Sequence, residues 1–350
     1  MRSMRTPEKI LIIRLSSLGD ILHAIPAFAS LRSAFPDARI DWLVEKKNSF
    51  LPSAFRGIDE VMVLDTSSLR KTPWELSSWE PAWELVRRLR ACQYDFCIDF
   101  QGLLKTALIS ALSGARMRVG FPKELVRERP AHWFYQCTPD PPSTPTHIVA
   151  LNQLLAQSVG APAVSTKVDF EVGSEDDVSV QYLLEAEKIG DFAVINPGGG
   201  WPTKKWDPCS YGKLAARIQA ELGLAVVVTT GPGEEILFAE LAKHCGNSPV
   251  HHFQLPFLQL IPLLRRARLF IGGDTGPFHL ACALGTPVVG IFGPTDPVRN
   301  GPWRDGEESV FRMLACSFCS GRTCPTQNEC MDITVEEMFQ AVVRRLARNS

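Results

Sequence analysis

The chain has 350 residues, enough for two domains of about 150 residues each. Hydrophobic residues make up 45% and charged residues 21%, the composition of a soluble globular protein. Lys and Arg (37) balance Asp and Glu (38), and the net charge of −1 does not indicate a nucleic-acid-binding protein. No apolar stretch reaches the ~20 residues of a membrane-spanning helix, and the apolar run after the basic start, residues 10–13, is too short for a signal peptide. We therefore expect a cytoplasmic protein.

The first half of the chain alternates strand and helix patterns. Residues 10–13 are uninterruptedly apolar, as expected of a central parallel strand that is covered on both faces. Further strands are predicted over residues 39–44, 60–64 and 96–98, and helices over 21–35, 79–90 and 147–158, the last after a proline-rich connector at 138–146.

The second half repeats this alternation. Strands are predicted over residues 193–195, 225–229, 269–271 and 287–292, and helices over 211–222, 234–244 and 280–284. The pattern predicts two doubly wound, Rossmann-like α/β domains that face each other across a cleft. We place them at residues 1–165 and 166–350, with a C-terminal helix that could return to the first domain. Ligands of such sheets bind beyond the carboxyl ends of the strands.

The loop after the strand at 269–271 has the pattern of an anion-binding turn. Gly272 and Gly273 allow a tight turn and a close approach of a ligand to the backbone, and Pro277 suits the first position of a helix. The free amides and the positive end of the helix dipole would then point at a phosphate. An ordinary glycine-rich turn capped by Thr275 accounts for the same residues, so this loop alone leaves the choice open.

The loop over residues 14–20 lacks the dinucleotide-binding fingerprint. It has one glycine where that fingerprint has three, which disfavours a hydride-transferring dehydrogenase. Asp20 lies where a helix begins. It is either an N-cap that satisfies free helix amides or a carboxylate held at the mouth of the cleft as a general base.

Two loops of the second half carry further candidates. Residues 196–206 contain three consecutive glycines and then Lys204 and Lys205, which form either a solvated basic loop or a diphosphate site. Residues 231–235 end in two glutamates, which could start a helix or bind ribose hydroxyls. Because the chain has no Asp-x-Asp pair to hold a metal on a diphosphate, we expect transfer from a nucleotide-activated donor, with lysine and helix amides stabilising the leaving group.

Five segments, taken together and in order, are similar to the motifs of one known family. They are residues 16–23 (SSLGDILH), 99–105 (DFQGLLK), 204–206 (KKW), 273–279 (GDTGPFH) and 293–297 (GPTDP). They resemble the bacterial lipopolysaccharide heptosyltransferases, glycosyltransferase family 9, over nearly the whole chain. The strand at residues 42–45 is more similar to heptosyltransferase I than to heptosyltransferase II.

The resemblance implies a GT-B fold with an acceptor-binding first domain and an ADP-sugar-binding second domain. It implies an inverting transfer of L-glycero-D-manno-heptose from ADP-heptose to a Kdo residue of lipid A. This would take place at the cytoplasmic face of the inner membrane, without a cofactor or metal ion. Asp20 would be the general base, and Lys204 would stabilise the departing ADP.

The resemblance also implies binding residues, carried over by their position in the motifs. The donor-binding residues would be Gly199, Gly200, Glu235, Leu255, Asp274, Thr275, Gly276 and His279, and the acceptor-binding residues would be Ser17, Gly19, Gln101, Gly102, Lys105 and Arg127. Asp274 would contact the heptose, the amides of Thr275 and Gly276 the phosphates, Glu235 the ribose and Leu255 the adenine. Some family members carry hydroxyl residues where this chain has its three glycines, so phosphate contacts there would come from the backbone.

Four of the ten cysteines are clustered near the end of the chain, whereas six are scattered as in a reduced protein. The clustered residues are Cys316, Cys319, Cys324 and Cys330. Their spacing is compatible with a structural zinc site, with reduced thiols in a loop, or with disulfides. We assign them no catalytic role.

Six basic residues of the first half form a candidate surface for an anionic acceptor and the membrane, although a solvated charged face would look the same. They are Lys105, Arg116, Arg118, Lys123, Arg127 and Arg129.

Three other functions remain open on the sequence. One is heptosyltransferase II or another family 9 transferase with a different acceptor. A nucleotide-sugar epimerase shares the two-domain architecture and would release nucleotide without an acceptor. A non-catalytic nucleotide-binding module would bind ADP without depending on Asp20.

Overall fold

The computed structural model describes residues 6–66, 74–164, 169–246 and 249–348. The chain divides into two compact units, residues 1–171 and 172–350. The domain boundary that we predicted between residues 165 and 166 lies outside the described residues. Both units are built on a parallel sheet with connecting helices, which confirms the predicted α/β class.

The described part of the first unit contains five strands and four α-helices. The strands are β1 (Lys9–Ile13), β2 (Arg39–Glu45), β3 (Glu60–Leu64), β4 (Phe96–Asp99) and β5 (Met117–Val119), and the helices are α1 (Leu18–Ala34), α2 (Glu80–Cys92), α3 (Leu104–Leu112) and α4 (Ile148–Gln157). The sheet order is β3-β2-β1-β4-β5, and every pairing is parallel. The first three strands are added from β1 toward one side of the sheet, and β4 and β5 are added on the other side of β1. The point at which the strand order reverses therefore lies between β1 and β4.

Strand β1 lies at the centre of this sheet because it is apolar on both faces. Its residues Ile10 to Ile13 are fully buried. Helix α1, which follows β1, packs against α4, and the Asn152 side-chain amide donates to the backbone oxygen of His23 at 2.9 Å. This packing fixes the helix that carries Asp20.

The described part of the second unit contains six strands and seven α-helices. The strands are β6 (Phe192–Asn196), β7 (Ala225–Thr229), β8 (His251–Phe253), β9 (Leu269–Gly273), β10 (Val288–Phe292) and β11 (Glu308–Phe311). The helices are α5 (Ser174–Ala186), α6 (Pro208–Leu222), α7 (Glu235–Ala242), α8 (Leu260–Arg266), α9 (Gly276–Leu284), α10 (Pro297–Asn300) and α11 (Val335–Ala347). The sheet order is β11-β10-β9-β6-β7-β8, again with parallel pairings.

Helix α9 begins four residues earlier than predicted, at Gly276. Thr275 is its N-cap, with the Phe278 amide 3.5 Å from the Thr275 hydroxyl, and Pro277 occupies the first turn, where it loses no hydrogen bond. The cap therefore starts the helix directly at the end of β9. The amides of the first helical turn consequently lie at the carboxyl end of β9.

The C-terminal helix, for which we considered a return to the first domain, packs against α6, β10 and β11 of the second unit. Its buried face includes the apolar residues Met338, Phe339 and Val342 and also Arg345. Among the described residues, no helix has the length and apolar character needed to cross a membrane.

Candidate active site

The candidate general base, Asp20, lies in the first turn of α1, beyond the carboxyl end of β1. The N-cap residue is Ser17, not Asp20, but Asp20 does satisfy a free amide as the third residue of a capping box. The Asp20 carboxylate accepts hydrogen bonds from the Ser17 amide and hydroxyl, both at 3.1 Å. It also forms an ion pair with Arg14 at 2.7 Å, and 30% of its side chain remains exposed.

These contacts determine the ionisation of Asp20. Burial works to raise the pKa of its carboxyl, but the charge of Arg14, the hydrogen bonds from Ser17 and the charge of Arg127 outweigh it, so that the pKa lies below its usual value. Asp20 is therefore ionised at neutral pH and can accept a proton, although as a weak base.

Arg14 is the residue of this site that the sequence analysis missed. It is buried, and besides the pair with Asp20 its guanidinium donates to the backbone oxygen of Phe100 at the end of β4. A cation directly after an apolar strand, at the sheet edge where ligands bind, was the available signal. Arg14 connects the loop after β1 to the loop after β4.

Gln101 and Gly102, in the loop after β4, contact the loop after β1 and the segment around Arg127. The Gln101 side-chain oxygen accepts the amides of Leu15, at 2.9 Å, and Ser16, at 3.3 Å, and Gln101 is only 4% exposed. Gly102 has φ +70°, and a β-carbon there would lie 3.3 Å from the backbone nitrogen of Arg127. A side chain at Gly102 would thus be strained and would push residue 127 away from the Asp20 site.

The other predicted acceptor residues differ in exposure and in their distance from Asp20 along the sheet. Gly19 is buried in the first turn of α1, and the Arg127 side chain is exposed. Lys105 pairs with the buried Glu45, at 2.9 Å. Arg116 lies before β5, at the opposite edge of the sheet from Asp20, and pairs with Asp95. Arg116 therefore does not belong to the acceptor surface that we predicted.

In the second unit, Lys204, Asp274 and His279 form one buried cluster. Lys204 Nζ is 2.7 Å from one carboxylate oxygen of Asp274 and donates to its backbone oxygen at 3.1 Å. The other carboxylate oxygen lies 2.7 Å from His279 Nε2. The side chains of Lys204 and Asp274 are 10% and 9% exposed.

Asp274 is held ionised by its two neighbours. Burial opposes its ionisation, but the hydrogen bond and charge of His279 and the charge of Lys204 outweigh burial, and the pKa of Asp274 lies far below its usual range. His279, predicted as a donor-binding residue, is itself buried behind Asp274. It therefore positions the carboxylate.

The glycine-rich loop after β6 is held by Glu234. Its carboxylate accepts the amides of Gly199, at 3.3 Å, and Gly231, at 2.9 Å. A β-carbon at Gly198 would collide with this carboxylate, so a larger residue there would displace the Glu234 side chain from its present position. Glu234 was a candidate for the start of a helix or for ribose binding, and its contacts with Gly199 and Gly231 were not predicted.

The residues predicted to bind the rest of the nucleotide lie beyond this loop. Glu235 begins α7, and its carboxylate accepts from the Gln254 side chain at 2.8 Å and from the Gly233 amide at 3.3 Å. Leu255 is half-buried and follows β8. Gly200 lies in the open part of the loop, with no atom within 4 Å of where its β-carbon would be.

The clustered cysteines do not form a recognisable metal centre. All ten cysteines of the chain are free thiols, which excludes disulfides in this structure. Among the described residues, no group of three or more His, Cys, Asp or Glu side chains could hold a metal ion. Cys330 is buried beside Gly293, whereas Cys316 and Cys319 are exposed. The structural zinc site stays a prediction.

Substitution of Lys204 tests the buried cluster. Lys204→Met leaves Asp274 ionised and buried with His279 as its remaining partner. We expect the free energy of unfolding to fall by about 3 kcal/mol, the lower end for losing one partner of a buried pair. Lys205→Met is the control, because Lys205 is 31% exposed and 4.0 Å from Glu234, and should cost less than about 1 kcal/mol. Denaturant unfolding measures both, and equal losses would contradict the interpretation.

Comparison with known proteins places this chain in a family. Residues 82–329 match the model of glycosyltransferase family 9 (heptosyltransferase). The chain is 30% identical over 324 residues to lipopolysaccharide heptosyltransferase 1 of Pseudomonas aeruginosa PAO1, covering 91% of this chain and 88% of that protein. It is 28% identical over 317 residues to lipopolysaccharide heptosyltransferase 3 of Escherichia coli K12, covering 89% and 88%.

A solved structure shares the fold of this chain. Escherichia coli heptosyltransferase WaaC with ADP-2-deoxy-2-fluoro heptose is 24% identical and superimposes with a TM-score of 0.72, covering 98% of this chain and 100% of that chain. The likeness shows that the fold is GT-B, as the motifs implied. On the match of its sequence, the chain belongs to glycosyltransferase family 9, the heptosyltransferases.

Proposed function

We propose that this protein is a lipopolysaccharide heptosyltransferase of type I. It would transfer heptose from ADP-heptose to a Kdo residue of Kdo-lipid A with inversion at the anomeric carbon. The first domain, residues 1–165, would bind the acceptor, and the second, residues 166–350, the donor. The observation that carries the proposal is the cluster of Lys204, Asp274 and His279 at the start of α9.

The donor site would stabilise a diphosphate leaving group without a metal ion. The free amides of Thr275 and Gly276 lie at the N-terminus of α9, where the helix dipole favours an anion. Lys204 would neutralise charge that develops on the departing ADP. Asp274 would bind a heptose hydroxyl. The E. coli relative whose structure is named with an ADP-heptose analogue supports this donor.

The nucleoside end of the donor would extend away from α9. The amides of Gly199 and Gly200 would add backbone contacts to the phosphates, since the glycines carry no side chains. Glu235 would bind the ribose and Leu255 would lie beside the adenine. The glycine loop and the start of α7 are already joined through Glu234, which supports a continuous binding surface.

In the transfer step, the acceptor hydroxyl oxygen bonds to the anomeric carbon as the bond from that carbon to the β-phosphate oxygen breaks. The electron pair of the broken bond leaves with ADP, and the hydroxyl proton passes to the Asp20 carboxylate. A base with a lowered pKa acts late in such a step, when the hydroxyl has become acidic. Arg14 keeps the base ionised and oriented.

Asp20→Asn tests the base while keeping the shape of the side chain. We expect ADP release from ADP-heptose in the presence of Kdo-lipid A to fall by about 10²- to 10⁴-fold, the usual contribution of general base catalysis, with donor affinity unchanged. Asp37→Asn, an exposed aspartate of the same unit, is the control. Full turnover in Asp20→Asn would show that Asp20 is not the general base.

The same assay separates the alternatives. Release that needs Kdo-lipid A supports type I, whereas release only with a heptosylated acceptor indicates heptosyltransferase II or another family 9 transferase. Release without any acceptor indicates an epimerase, and binding of ADP without turnover indicates a nucleotide-binding module.

Arg127 would hold an anionic group of the acceptor. Its side chain is exposed, and its charge acts on Asp20. Arg127→Ala should raise the KM for Kdo-lipid A by about tenfold, the loss of one charge-assisted hydrogen bond, and leave the KM for ADP-heptose unchanged. Arg116→Ala, at the opposite sheet edge, is the matched control. A similar rise for both substrates would refute the role of Arg127.

We also place the membrane-facing surface on α3 and the 3₁₀ helix Arg129–Phe134. These elements pack together, and the start of α3 is tied to the segment before Arg129 by the Leu104 amide, which donates to Glu128 at 2.7 Å. Leu104, Leu108 and Trp133 are 42%, 46% and 81% exposed. Apolar side chains beside basic residues match the interface of an anionic bilayer.

Co-sedimentation with vesicles tests this surface. The double variant Leu108→Ser, Trp133→Ser should lose most of its binding to vesicles containing anionic lipid, because it removes the apolar area that would be buried in the bilayer. Trp74→Ser is the control, since Trp74 is 78% exposed but lies elsewhere in the first unit. Unchanged binding of the double variant would exclude this orientation on the membrane.

A further inference from the structure

Two cations lie over the indole ring of Trp201 in the second unit. Lys204 Nζ is 4.0 Å from the ring centroid, and the guanidinium carbon of Arg322 is 5.3 Å from it. Both distances fall within the range of a cation–π contact, about 6 Å. Arg322 belongs to the segment between β11 and α11, residues 312–334, which we call the C-terminal loop. No motif had assigned this arginine to the site.

The C-terminal loop is fastened to the loop that carries Lys204. The Thr203 hydroxyl donates to the backbone oxygen of Gly321 at 2.6 Å, and the Asn328 side-chain amide donates to the backbone oxygen of Thr203 at 3.2 Å. The Ser320 amide donates to the backbone oxygen of Pro294, after β10, at 2.7 Å. The backbone on the N-terminal side of Arg322 is therefore held against two strand-end loops.

The charges around the glycine-rich loop cancel unless Arg322 is included. Lys204 is paired with Asp274, and the nearest described acid to Lys205 is Glu234, at 4.0 Å. Two lysines thus face two carboxylates. Arg322 is exposed and forms no ion pair with the acidic side chains that the structure describes. It is the cation of this group whose charge is not compensated.

A nucleoside diphosphate needs such a cation. Both of its phosphates are ionised at neutral pH, and the three glycines of the loop after β6 can offer them only backbone amides. An arginine fork can contact two phosphate oxygens at once, which an ammonium group does less well. The contact with Trp201 holds the guanidinium near the loop before any ligand arrives, which lowers the entropy lost on binding.

We propose that Arg322 is a donor-binding residue that contacts the diphosphate of the nucleotide sugar. The inference rests on the proposed function, in that the donor is a nucleoside diphosphate sugar. It assigns to the C-terminal loop a role in binding the donor. This role rests on Arg322 and not on the four cysteines of that loop. During transfer, Arg322 stays on the ADP that leaves with the electron pair of the broken bond.

Calorimetric titration of the full chain with ADP and with adenosine tests the proposal. Arg322→Ala should weaken ADP binding by about 10- to 100-fold, as expected for losing hydrogen bonds to a charged group, and leave adenosine binding unchanged. Arg322→Lys should recover part of the loss, because it restores the charge without the fork. Arg312→Ala, an exposed arginine of the same loop, should bind ADP like the unsubstituted protein.

Each other result decides the question. Unchanged ADP affinity in Arg322→Ala overturns the proposal. Equal losses for ADP and adenosine overturn it as well, because they indicate that Arg322 only maintains the shape of the loop. If the unsubstituted protein binds neither ADP nor ADP-heptose, the proposed function itself fails, and Arg322 is not the cause.

Discussion

The buried carboxylate of Asp274 is the constraint on which the second unit depends. A charge with so little contact with water is tolerated only when it is paired and hydrogen-bonded. Lys204 meets one of its oxygens and His279 the other, so the loop after β6 and helix α9 must meet at one place. The same pairing keeps the ammonium group of Lys204 beside the amides of α9. Structural and chemical requirements thus coincide in one contact.

The first unit also holds an ionised carboxylate beside a cation, but in a position that is more accessible to solvent. Asp20 is also paired with a cation at the carboxyl edge of a parallel sheet, but part of its side chain stays in contact with solvent. Arg14 is buried and bonded to the end of β4, so the carboxylate is oriented from within the unit. One unit therefore holds an accessible carboxylate, and the other holds a shielded ion pair among amides. Proton transfer suits the former, and stabilisation of an anion suits the latter.

Pattern predicted the fold well where strands were apolar and helices amphipathic. The central strands β1 and β9 and the turn after β9 could be located because burial on both faces leaves continuous apolar runs. Short edge elements such as β5 and β8 were missed, since three residues carry too little periodicity. The helix predicted over residues 280–284 begins too late, although the same loop had offered Thr275 as a cap and Pro277 as a first helical residue. Arg14 and Arg322 escaped notice because their roles depend on contacts with residues far away in the sequence.

The C-terminal loop has a consequence for how this protein forms during synthesis. Thr203 bonds to Gly321 and Asn328, and the Trp206 indole bonds to the backbone of Ile333, across more than a hundred residues of chain. The ribosome releases the N-terminal part first, so the loop around Lys204 emerges long before its supports. The first unit can complete its sheet while the second is still being made. The loop around Lys204 acquires these contacts only after residues 321–333 have been translated.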